Sequence, residues 1–155
     1  MIIIEAVRTG CWNAISGQRR VVTGTECADE LQRGDTARAS YVSVTEQDIG
    51  RAMVESVSPG AGAAFRLVYA NADGLDPGER DLLALAYSRS DDFLLCSSDK
   101  AVVVAALSLG WLDRVISLEL LARSVGARPN SELKRQYTES TMSAWRTTLQ
   151  LGRRI

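Results

Sequence analysis

Three carboxylates stand where an α/β protein can place chemistry. Asp99 closes the stretch FLLCSSD, directly behind the apolar run 93–96. Glu79 lies three residues after Asp76 in DPGERDLLALAY, and Glu30 lies in TECADELQRG, one helix beyond the apolar run 21–23. Each has a purely structural reading. Asp99 or Ser98 caps the helix that follows, Glu79 fills the third position of a capping box, and Glu30 is a solvated helix carboxylate. A chemical reading stands beside these, because ligands of open parallel sheets bind outside the carboxyl ends of the strands, where Asp99 falls. The menu of chemistry is narrow. The chain contains no histidine, which excludes Ser–His and Cys–His catalysis, His-ligated zinc and histidine pH switching. Cys11, Cys27 and Cys96 are odd in number and form no Cys-x-x-Cys pair, so a reduced cytoplasmic setting is expected.

The elements that must position these side chains read as alternating helices and short apolar strands. EAVRTGCWNAIS has a helical face of Ala6, Val7, Cys11 and Ile15, interrupted at Gly10. Residues 21–23 form a short strand, and TECADELQRGD a helix closing near Gly34. TEQDIGRAMVESVS is expected as one helix, capped by Thr45 and carrying Ile49, Met53 and Val57, until Ser58-Pro59-Gly60 breaks it. AGAAFRLVYANA is a further helix. DPGERDLLALAYSRS opens with Asp76 as cap and Pro77 at the first helical position. DFLLCS is a buried strand, SDKAVVVAALSLG an all-apolar helix with a strand as its alternative, DRVISL a second short strand, and SLELLARSVG a helix from Ser117 to Gly126. This alternation predicts an α/β three-layer fold with a short, mostly parallel sheet flanked by helices. Residues 1–129 are expected as one domain, with 130–155 a C-terminal helical extension of the same unit. The 155 residues are 46% hydrophobic and 24% charged, enough for a substantial core. Eighteen basic against 19 acidic residues give a net charge of −1, unlike a protein that coats nucleic acid. No apolar run reaches membrane-spanning length.

The order of LDPGERDLLALAY, DFLLCSSDKAVVVAALSLGW and RVISLELLA resembles the C-terminal half of PIN-domain proteins, a family made up mainly of metal-dependent ribonucleases, toxins of toxin–antitoxin pairs among them. VVTGTECADELQRG is similar to the family's second strand and the helix carrying its second acidic residue. The resemblance implies a PIN-like fold in which Glu30, Glu79 and Asp99 are catalytic carboxylates holding Mg²⁺ or Mn²⁺, with Ser98 orienting water or phosphate. Hard cations of this kind take oxygen ligands and acidify bound water. Asp81 and Asp92 lie nearby but match less well. The implied substrate is RNA, with an antitoxin-like protein or a second copy as partner, and Arg20, Arg33, Arg80 and Lys100 as candidates for an RNA path that are equally ordinary solvated cations.

The chain departs from the family at its start. MIIIEAVRTGCWNAI resembles the helix that follows the family's first strand, so the strand and its aspartate are expected upstream of Met1. The alternative is that residues 1–4 are themselves that strand, with Glu5 as the ligand. A site short of one carboxylate predicts an N-terminally truncated, weakly active endoribonuclease, and an absent central strand predicts two unpaired sheet edges. The competing expectation is a catalytically degenerate PIN-like module that binds RNA or protein. A third is an α/β domain whose acidic residues are all caps.

Overall fold

The structure is a computed structural model, and it describes residues 2–32, 41–152 and 155. Two helices open the chain, α1 (Ile2–Arg8) and α2 (Trp12–Gln18). Gly10 turns between them with φ 71°, a left-handed conformation that suits a residue without a Cβ. The reading of residues 1–4 as a strand is corrected: Ile2 onward is helical, and Ile3 and Ala6 bury one face at helical spacing. Strand β1 (Val22–Gly24) leads into α3 (Thr25–Gln32). The expected cap Gly34, and Arg33 with it, lie outside the described residues.

The single helix expected over 45–58 is also corrected. It stops after one turn, α4 (Glu46–Ile49), where Thr45 forms a capping box with Asp48. Met53–Glu55 then forms strand β2, parallel to β1 with Val22 opposite Met53. Pairing with β1 overrides the four-residue spacing of Ile49, Met53 and Val57, since strand preference is decided largely by the neighbouring strand. Ser58-Pro59 starts a helix here: Ser58 caps α5 (Pro59–Val68), and proline loses nothing at the first helical position. Helix α6 (Pro77–Tyr87), strand β3 (Leu95–Cys96), helix α7 (Lys100–Ser108), strand β4 (Val115–Ile116) and helix α8 (Leu118–Ser124) follow as expected. The tail passes through a 3-10 turn at Arg135–Tyr137 into α9 (Glu139–Gln150).

The result is a three-layer α/β arrangement with short parallel strands between helices. Its middle layer is divided. β1 pairs with β2 and β3 pairs with β4, both parallel, and no ladder joins the two pairs among the described residues. Two apolar clusters lie against this layer. One gathers Phe65, Leu83, Val103 and Met142 from α5, α6, α7 and α9. The other gathers Ile3, Trp12, Ile15 and Leu118 from α1, α2 and α8. Successive strand residues serve opposite sides, Leu95 in the first cluster and Cys96 against the second, as a pleated strand requires.

The tail is tied back to the first helix. Glu5, only 1% exposed, receives Arg8 Nη2 at 2.6 Å and Nε at 2.8 Å, and the Lys134 backbone N–H at 2.9 Å. The Asn130 N–H bonds the Thr9 carbonyl at 3.0 Å. Burial pushes the Glu5 carboxyl up, but the bonds from Arg8 and Lys134 outweigh it and hold the group below the usual range. Glu5 is thus a structural anchor.

Candidate functional site

The strand ends place the acidic residues. β3 ends at Cys96, the Ser97 hydroxyl receives the Asp99 N–H at 3.1 Å, and Asp99 Oδ1 receives the Ala101 N–H at 2.7 Å. That second bond is the helix cap of α7 foreseen in the sequence. Glu79 likewise caps, completing a box with Asp76 through a 3.3 Å bond from the Asp76 N–H to Oε2. Neither role consumes the whole carboxylate. The Glu79 and Asp99 side chains face one another closely enough for the Asp99 charge to act on Glu79. Burial and then the Asp99 charge push Glu79 up to about 7, against the opposing Asp76 N–H bond. Two acids from different elements therefore meet at the carboxyl end of β3.

Glu30 arrives from the other half of the sheet. It lies on α3, beyond the carboxyl end of β1, and its Oε1 would stand 3.6 Å from a Cβ placed on Gly78. A Cβ there would also come within 3.0 Å of the Cys27 sulfur, so the missing side chain at Gly78 is what lets α3 approach α6. Glu30, Glu79, Asp99 and Ser98 all line one cavity of about 540 Å³. They do not form a three-carboxylate centre: among the described residues, no group of three or more acidic, thiol or imidazole side chains is drawn together to hold a metal ion. What the donors offer is a pair of hard oxygen ligands, Glu79 and Asp99. That pair suits a single hydrated Mg²⁺ or Mn²⁺, an ion that keeps several waters and needs only one or two carboxylates.

The remaining candidates divide between the rim and elsewhere. Ser98 bonds the hydroxyl of Tyr137, which burial otherwise pushes up, so the tail touches the acidic rim. Asp81 stands beside β1, its Cβ 3.4 Å from a Cβ placed on Gly24. Asp92 lies before β3, lines the same cavity and stands 4.0 Å from Arg114. Arg20 sits 3.9 Å from Glu55 and 3.8 Å from Asp91, and the Lys100 ammonium is 5.7 Å above the Trp145 ring. Both are engaged in surface contacts, as ordinary solvated cations are. Burial pushes the Cys96 thiol up to about 12 and also raises Cys27, so neither is an activated nucleophile. Sequence reasoning missed Ser97, which orients Asp99, and Asp76 as a neighbour of the acidic pair. The adjacent serines ahead of a capping aspartate were the available signal.

No protein-family model, curated protein or solved structure matches this chain. No helix among the described residues is long and apolar enough to cross a membrane.

Proposed function

We propose that the protein is a PIN-like, divalent-metal-dependent endoribonuclease of low activity in this form, with RNA as substrate in the cytoplasm. The observation that supports this reading is the Glu79–Asp99 pair, two acids that line one strand-end cavity close enough for the charge of one to raise the other. Such pairs are costly to ionise side by side, and a bound cation removes that cost. Mg²⁺ or Mn²⁺ bound there would acidify a water for attack on phosphorus. The chain's own part is positional. Asp99 is fixed by the Ser97 hydroxyl and the Ala101 N–H. Glu79 is fixed by the Asp76 N–H. Glu30 adds negative charge from the facing wall, and Ser98 offers a hydroxyl at the rim for phosphate or water. An antitoxin-like protein or a second copy is the partner this reading implies.

The test is cleavage of single-stranded RNA with Mn²⁺ by wild type and Asp99→Asn. Asparagine caps a helix as well as aspartate does, so the variant keeps its fold and loses Mn²⁺-dependent cleavage. Equal cleavage by both proteins overturns the assignment. One observation favours a second reading, a degenerate module that binds RNA or protein without cutting: both acids already serve as caps, and among the described residues no third donor joins them. Calorimetry separates the two, since the second reading requires RNA or partner binding with no heat of Mn²⁺ binding.

A further inference from the structure

The segments that lead into β3 and β4 bring aromatic rings and charges to one surface. Phe93 and Leu94 precede β3, and Trp111 stands ahead of the 3-10 turn Leu112–Arg114 that leads into β4. The Phe93 and Trp111 rings meet edge to face with centroids 5.3 Å apart, and Trp111 lies 6.3 Å from Tyr87 at the end of α6. The Arg114 guanidinium lies over the Phe93 ring at 4.8 Å. Each ring is thus positioned by a neighbour, yet the apolar surface is not covered: Leu94 is 61% exposed and Tyr87 37%. Asp92, Phe93, Leu94 and Arg114 bound an open hollow of about 340 Å³. Its one acid and one base stand 4.0 Å apart with the Asp92 side chain fully exposed, a loose pair with most of its charge still turned to solvent. Aromatic rings and arginine around an uncovered leucine have the composition of an interface centre.

We propose that this surface joins two copies of the chain about a two-fold axis, with Leu94 of each copy seated in the hollow of the other and Asp92 of each paired with Arg114 of the other. The occupant follows from what the surface carries. A two-fold interface must be complementary to itself, so one patch has to hold every feature together with its counterpart. Here an uncovered leucine borders a hollow, and an acid stands beside a base. A purely acidic or purely basic partner would satisfy one of the two charges and oppose the other. Pairing across the axis satisfies both, and charge pairs of this kind fix register and partner choice more than they add affinity. The patch is small, so the dimer is weak and exchanges quickly, as the smallest specific interfaces do. This association is independent of the ribonuclease reading, and neither RNA nor a metal ion enters its test.

The experiment is analytical sedimentation of the whole chain in low salt, from about 10 µM to about 1 mM. Wild type is expected to pass from monomer to dimer across that range, and the dimer to weaken as salt is raised. Leu94→Asp is expected to weaken association by at least about 100-fold, since the axis counts the lost leucine twice. Asp92→Arg and Arg114→Asp are each expected to stay monomeric alone, because like charges then face one another across the axis. An equimolar mixture of these two variants is expected to dimerise, because every facing pair is opposite in sign again. A wild type that stays monomeric up to about 1 mM overturns the proposal. So does a dimer that Leu94→Asp leaves intact, as another surface would give, or a mixture that stays monomeric while each variant keeps the wild-type circular dichroism.

Discussion

Glu79 and Asp99 each accept a backbone N–H and stand close to one another, and this placement gives measurable consequences. Asp99→Ala loses the α7 cap and is expected to cost about 1 kcal/mol in denaturant titration, while Asp99→Asn costs little. Glu79 carries a pH dependence. Its proton is held up to about pH 7 in the fold but is released near the usual 4.5 once unfolded. The folded state therefore binds the extra proton between these values, and this contribution to stability is present below pH 4.5 and lost as pH rises through 7. Glu79→Gln removes that slope, so the variant is expected to gain in Tm relative to wild type at pH 8 and to show no such gain at pH 4. Both acids were legible in the sequence as caps, because Asp76-Pro77 and Ser98-Asp99 are local patterns. Their contact was not, since it joins residues twenty apart in the chain that only tertiary packing brings together.

Among the elements, the helices with caps written into the sequence came out nearly as expected: Thr45, Asp76, Asp99 and Ser117 all cap. β2 did not, because a three-residue strand is defined by its partner more than by its own residues. The glycines after helices were equally legible. Gly110 takes φ 72° behind α7, and Gly110→Ala is expected to cost about 1–2 kcal/mol through left-handed strain alone, as its Cβ would meet no neighbour. The bonds of Glu5 to Arg8 and Lys134 join α1 to the tail. Glu5→Gln is expected to cost about 1.5–3 kcal/mol, measured at neutral pH. Because this carboxyl is held below its usual range, its contribution is present above pH 4.5 and lost as pH falls through the lower folded value. Wild type should lose this stabilisation in acid and the glutamine variant should not.

At the scale of the whole molecule, periodicity disclosed the three layers but not the division of the middle one. Apolar runs say that strands are buried; they do not say which edges meet. The tail is integral to the unit, since Met142 is fully buried within the cluster of α5, α6 and α7. Met142→Ala is expected to cost about 2–5 kcal/mol, read as a shift in denaturant midpoint. The contact between Glu5 and Lys134 spans 129 residues of sequence. At about 5–20 residues per second of synthesis, the first helix waits roughly 6–26 s for the backbone that completes its anchor. During translation the isoleucines of α1 are therefore made long before their clamp, and until Lys134 emerges their apolar face is open to chaperones and proteases.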